Sequence, residues 1–189
     1  QIVKYAYHKM APYFDPLFKK MFELETINDR LVRNATCEFW VKCLRFEETR
    51  KTGFFDHFWE GLLRSCFQRL LDAVNFAPEE QETSLNQLEG ISRLLNSIVK
   101  HYYNHAFPHV AEYVNIRLGS TDPHEVVAAI MALEAVVDLK GDVPEDFSPV
   151  FPRVFSFAVT QNPLLIKIVA LNCVNQMLKQ HISVIFTAK

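Results

Sequence analysis

Three histidines, His101, His105 and His109, stand four residues apart. On an unbroken helix that spacing lines side chains up on one face, where imidazoles can share a metal ion. Pro108 falls inside the run and opposes a continuous helix, so exposed or helix-capping histidines are the expectation. Acidic pairs occur at Glu47-Glu48, Glu79-Glu80 and Glu145-Asp146. Each lies in a stretch expected to be a solvated loop, with no apolar pocket to raise a carboxyl pKa for acid–base work. Ser65-Cys66 and Cys173 have no paired histidine in a nucleophile setting. Gly53, Gly61, Gly90, Gly119 and Gly141 are isolated, so none belongs to a phosphate-cradling loop. The four cysteines, Cys37, Cys43, Cys66 and Cys173, lack metal-ligand spacing and are expected to be reduced core residues of a cytosolic or nuclear protein. No catalytic residue, metal or cofactor is expected, and the chain reads as a binding protein rather than an enzyme.

The best electrostatic feature is the basic run Arg30, Arg33, Lys42, Arg45, Arg50 and Lys51. Asp29, Glu38, Glu47 and Glu48 stand among these cations, which favours a charged, solvated helix face. The functional alternative is a surface for an acidic partner or an RNA backbone. Lys100, then Lys167, Asn175 and Lys179, occupy equivalent faces of later helices and would extend it. The candidate partner-binding residues are therefore Arg30, Arg33, Lys42, Arg45, Lys100, Lys167, Asn175 and Lys179.

The elements that must position them repeat. Phe147 to about Ala158 reads as a short helix, Thr160-Gln161-Asn162-Pro163 as a turn, and Leu164 to Lys179 as a longer helix. Asn162 is expected to cap that helix, and Pro163 fits the first helical position, where a missing N–H costs nothing. Forty residues earlier Phe107 starts the same series, with Ser120-Thr121-Asp122-Pro123 as its turn; Tyr13 starts a third copy that turns at Asn28-Asp29. Val32, Val126 and Ile166 share a register position, as do Ala35, Ala129 and Val169, then Phe39, Leu133 and Cys173, then Cys43, Val137 and Met177. Steps of three and four residues trace one helix face. Leu31 and Trp40 are expected to point inward with them. A longer pair, with the polar stretch Ala77 to Thr83 in its turn and Thr83 or Ser84 as cap, supplies the second unit.

The expected architecture is an all-α superhelix, a solenoid of about four antiparallel helix pairs over 13–46, 54–104, 107–140 and 147–180. Gly141 is expected to end the third unit as a left-handed cap, and His181 to Lys189 to begin a fifth. Residues 1–10 read as the tail of a preceding helix. The chain opens at Gln1 without an initiator Met and its last helix lacks a polar terminal cap, so a piece of a longer solenoid is expected.

Composition agrees. In 189 residues, 49% are apolar and only five are glycine, which suits stacked helices and disfavours disorder. A net charge of −2 predicts no general affinity for nucleic acid. The longest apolar block, Val126 to Leu139, holds Glu134 and Asp138 and is too short to span a bilayer, so no membrane is expected.

The helix-pair unit, with its Asp/Asn-Pro turn and the steps Val32-Arg33 and Ile166-Lys167, resembles a HEAT repeat. Cys37-Glu38-Phe39-Trp40, then Phe58 through Gln68-Arg69-Leu70-Leu71, the acidic insertion and Glu125-Val126 follow in an order similar to the middle of karyopherin-β nuclear transport receptors, of the transportin-SR and exportin-like branch. The resemblance covers about Asn28 to Gln180. It implies a monomeric protein-binding segment that takes a cargo protein under control of Ran-GTP and shuttles between nucleus and cytoplasm. The alternatives are a HEAT scaffold in a multiprotein assembly without a transport role, and an exportin segment that binds RNA or tRNA.

Overall fold

The structure, a computed structural model, describes residues 13–25, 27, 29–51, 53–137, 139 and 149–187. Among these, every regular element is helical: α1 (Phe14–Glu25), α2 (Arg30–Arg50), α3 (Trp59–Ala73), α4 (Gln81–His101), α5 (Tyr103–Arg117), α6 (Pro123–Val137), α7 (Val150–Val159) and α8 (Leu164–Thr187), with single 3-10 turns at Phe54–His57 and Pro78–Glu80. Neighbours pair as α1 with α2, α3 with α4, α5 with α6 and α7 with α8. The second helices also stack in order, α2 on α4, α4 on α6 and α6 on α8. The described residues form an all-α solenoid of four helix pairs, each unit packed on its neighbours.

Helix starts follow from short polar side chains that meet orphan N–H groups. Asp29 Oδ1 accepts the Val32 N–H at 3.0 Å and starts α2. Asp122 Oδ1 accepts the His124 N–H at 2.9 Å at the start of α6. That backbone bond, helped by the His124 ring, holds the Asp122 carboxyl below its ordinary pKa. A depressed folded-state pKa means the cap contributes above the ordinary aspartate range and is lost as pH falls through the lowered value. Asn162 acts differently from expectation. Its amide donates back to the Phe157 carbonyl at 3.1 Å and the Thr160 hydroxyl at 2.7 Å, closing the end of α7.

Several boundaries move. Thr83 and Ser84 lie inside α4 rather than capping it. Ser84 Oγ instead donates to the Ala73 carbonyl at 2.6 Å and accepts the Asn75 N–H at 3.2 Å, so it seals the end of α3. The third unit starts at Tyr103, not Phe107, and α5 runs through Pro108 at the loss of one backbone bond. The last helix continues as one piece to Thr187 instead of turning into a fifth unit at His181. The expectations for residues 1–10, for Gly141 and for the Glu145-Asp146 loop lie outside the described residues.

The rotation of α2 also differs. Trp40 and Cys43 are buried as expected, but Leu31 is 75% exposed and Ala35 is exposed, while Thr36, Cys37, Leu44 and Glu47 are buried beside them. The helix turns to bring Trp40 inward. Its indole meets Phe18 at 4.6 Å, Phe39 at 5.1 Å, Phe22 at 5.3 Å and Phe55 at 6.3 Å between ring centroids. An indole among four rings gains far more from burial than Ala35 could.

Glu47 overturns a second expectation. It belongs to α2, is 1% exposed, and accepts the Gly53 N–H, so the loop that follows folds over its carboxylate. Gly53 has φ +69°, and a Cβ there would also stand 3.1 Å from Asp56 Oδ2, so glycine is required.

At the centre lies α6, where every residue from Val126 to Leu133 is buried. It packs on α3, α4, α5 and α8. Ala128, Ala129, Ala132 and Ala135 let four neighbours approach closely, which explains a helix that is apolar all round. Two side chains of α4 reach across to its backbone: Ser92 Oγ to the Met131 carbonyl at 3.3 Å, and Asn96 Nδ2 to the Ala135 carbonyl at 2.7 Å. Ala135 lies in the final turn, where carbonyls lose their intrahelical partners. Asn96→Ala is expected to cost about 1–3 kcal/mol, because a part-buried carbonyl is left without its donor. Urea denaturation checks this, and a loss below a few tenths of a kcal/mol would show that water replaces the amide.

Candidate partner-binding face

The exposed side of the stacked second helices carries two grooves. The first, of about 310 Å³, lies between α2 and α4 and is lined by Asn34, Glu38, Lys42, Arg45, Asn86, Gly90 and Arg93, with Cys37 and Val41 beneath. The second, of about 500 Å³, continues over α4, α6 and α8; Arg45, Glu89, Arg93, Glu134, Asn172 and Asn175 are among its lining residues. Arg45 and Arg93 belong to both, so the two grooves meet at these guanidiniums.

The candidate residues divide sharply here. Arg45 and Asn175 line the second groove together, although 130 residues separate them. Lys42 lines the first and pairs with Glu38 at 3.5 Å on its own helix. Lys100 joins Glu48 at 3.1 Å, tying α4 to α2. Arg30 donates to the Thr83 hydroxyl at 3.1 Å, another α2–α4 tie. Arg33 is half-buried and donates to the Ile27 carbonyl at 3.2 Å, which closes the α1–α2 turn. Lys167 is half-buried and Lys179 exposed, and neither lines these grooves. Three of the eight, Arg30, Arg33 and Lys100, therefore fasten the solenoid to itself, and Lys42 is paired within its own helix. Sequence reasoning missed Arg93, which stands four residues after Glu89 and reads there as half of an ordinary i,i+4 pair.

Gly90 sits in the floor of the first groove, inside α4, where glycine costs about 1 kcal/mol relative to alanine. A Cβ at this position would meet only Asn34 Oδ1, at 4.0 Å, so packing does not demand glycine. Gly90→Ala is therefore expected to stabilise the chain by about 1 kcal/mol, read as a higher urea midpoint at unchanged slope. A destabilised variant would mean that the groove closes more tightly than this geometry.

The remaining chemistry-bearing residues are structural. A break at Tyr102 (φ −115°, ψ 39°) ends α4 and takes His101 out of line with His105 and His109. Tyr102 stacks on Trp59 at 5.6 Å and its hydroxyl bonds Asp56 at 3.1 Å; His105 and His109 flank the same indole at 6.1 and 6.3 Å. Among the described residues no group of three His, Cys, Asp or Glu side chains could hold a metal ion. All four cysteines are buried thiols. Burial pushes the Cys43 thiol up to about 12 and the Cys173 thiol upward as well, the opposite of what a nucleophile needs. Arg69 is buried, donating to the Arg33 carbonyl at 2.9 Å and to Cys37 Sγ at 3.0 Å. Its motif, Gln68-Arg69-Leu70-Leu71, thus touches the other one, Cys37-Glu38-Phe39-Trp40.

Among the described residues no helix is long and apolar enough to cross a membrane. No protein-family model matches the chain, nor does any curated protein or solved structure.

Proposed function

We propose that this chain is a protein-binding segment of a nuclear transport receptor of the importin or exportin type, taking cargo along its second-helix face under control of Ran-GTP. The observation that carries the binding role is the continuous face from α2 to α8, where two grooves meet at Arg45 and Arg93. A solenoid offers such a surface without needing a catalytic pocket. The transport role rests on resemblance. Its support is that the two short motifs carrying the resemblance, one on α2 and one on α3, act as a single packing device through Arg69 and Cys37. Shuttling between nucleus and cytoplasm follows from that role.

The charge along the face speaks against RNA as the main partner. Lys42 and Lys100 are held by Glu38 and Glu48, and Glu89 and Glu134 line the second groove, so no excess of positive charge follows a backbone track. The test is capture of Ran loaded with GTP or GDP by the intact protein that contains this chain. Selective capture of the GTP form supports the transport reading. Equal or absent binding overturns it in favour of a scaffold without a transport role.

A further inference from the structure

We infer that Arg45 and Arg93 form a seat for a single carboxylate side chain in an extended segment of a partner protein laid across α2 and α4. This inference rests on the reading of the second-helix face as a protein-binding surface, and it names the chemistry of what binds.

Five observations carry it. Arg30, Arg33, Lys42 and Lys100 are engaged by Thr83, the Ile27 carbonyl, Glu38 and Glu48. The side chains of Arg45 and Arg93 are exposed and make no hydrogen bond or ion pair among the described residues. Both line both grooves, so two cationic residues stand at the junction of the grooves, where an incoming carboxylate can meet either guanidinium. Beside them Gly90 leaves the floor open although packing does not require a glycine. Asn34 and Asn86, on the same groove, carry carboxamides that donate and accept, which suits the alternating N–H and C=O groups of an extended peptide.

The sign and extent of charge select the ligand class. The two grooves together are lined by Lys42, Arg45 and Arg93 against Glu38, Glu89 and Glu134, a balance of zero. A polyanion would meet as much repulsion as attraction there. A single carboxylate at the arginine lip meets attraction, and the glutamates beyond it accept basic or polar neighbours in the same segment.

The test is fluorescence anisotropy of a labelled Gly/Ser peptide carrying a single central Glu (the Glu peptide) with the 189-residue chain. The same peptide with Lys or with phosphoserine at that position, and oligouridine, serve as comparisons. The Glu peptide is expected to bind saturably and more tightly than the Lys peptide. Arg45→Ala and Arg93→Ala are each expected to weaken it about tenfold or more, the loss typical of one charge-assisted hydrogen bond. Gly90→Leu, which fills the floor without altering charge, is expected to weaken it as well. Arg64→Ala, which removes the partner of Glu60 on α3, is expected to leave it unchanged. Circular dichroism confirms that each variant keeps its helices. The inference is overturned if the double variant Arg45→Ala/Arg93→Ala binds the Glu peptide like the parent, or if the Glu peptide binds no better than the Lys peptide. Oligouridine or the phosphoserine peptide binding more tightly than the Glu peptide, with loss in the same variants, would make the lip a phosphate site and equally overturn it. Ran-GTP capture without Glu-peptide binding removes this inference alone. Glu-peptide binding without Ran-GTP selectivity removes the transport reading alone.

Discussion

Replacing Trp40 with alanine is expected to destabilise the chain by about 3–5 kcal/mol, the range for deleting a large aromatic from a sealed core. Trp40, Phe18 and Phe55 are all fully buried, and they come from α2, α1 and the 3-10 turn before α3. Three separate elements thus close on one cluster. Phe18 meets Trp40 at 67° and Phe58 at 87°, edge-to-face geometries that add to simple burial. Removal of the indole leaves a void that Phe18, Phe39 and Phe55 cannot fill without leaving their own contacts. It also removes the side chain that sets the rotation of α2, on which the position of Arg45 depends. Urea unfolding measures the loss; a value near 1 kcal/mol would mean that the cluster collapses around the gap and that the indole does not set the helix's register. Trp40→Phe is expected to recover part of the stability, since it restores ring contacts while leaving a smaller void.

Ala132→Asp is expected to cost more than about 4 kcal/mol, the largest effect of any single change considered. Ala132 is fully buried on a helix with neighbours on four sides. Its surface is wholly covered, so the new carboxylate would be buried among apolar side chains. Burial raises the pKa of such a group above its unfolded value, so it takes up a proton on folding. The penalty, taken relative to the parent at the same pH, is therefore greatest at neutral pH and shrinks as pH falls towards the ordinary aspartate range. Denaturation at two pH values checks both size and sign. A pH-independent loss of about 1 kcal/mol would show that α6 opens to solvent locally.

The repeat was legible because helix pairing depends on local signals: Asp29 and Asp122 at helix starts, and an apolar step of three and four residues through Val126, Ala129, Leu133 and Val137. The register of α8 followed from the same pattern: Ile166, Val169, Cys173 and Met177 are buried. In α2 it did not, because its buried side includes Thr36 and Glu47, and the rotation is decided by Trp40 meeting rings distant in the chain. The break at Tyr102 depends on Trp59 and Asp56, again from another element. The site followed the same division. Arg45 and Asn175 were legible as polar positions on second helices, whereas the engagement of Arg30, Arg33 and Lys100 by other segments was not. Arg93 became visible only when α4 was placed against α2.

The seam between the second and third units is fastened in both layers by the same device, a side chain of one unit bonded to a backbone carbonyl of the next. In one layer α4 reaches α6 through Ser92 and Asn96. In the other the Tyr113 hydroxyl of α5 donates to the Phe67 carbonyl of α3 at 3.2 Å, while the two rings stack at 4.1 Å and 11°. A directed bond to a carbonyl weakens steeply when its angle changes. Both layers of this seam therefore resist twist together, and torque applied to one unit passes to the next instead of being absorbed between them.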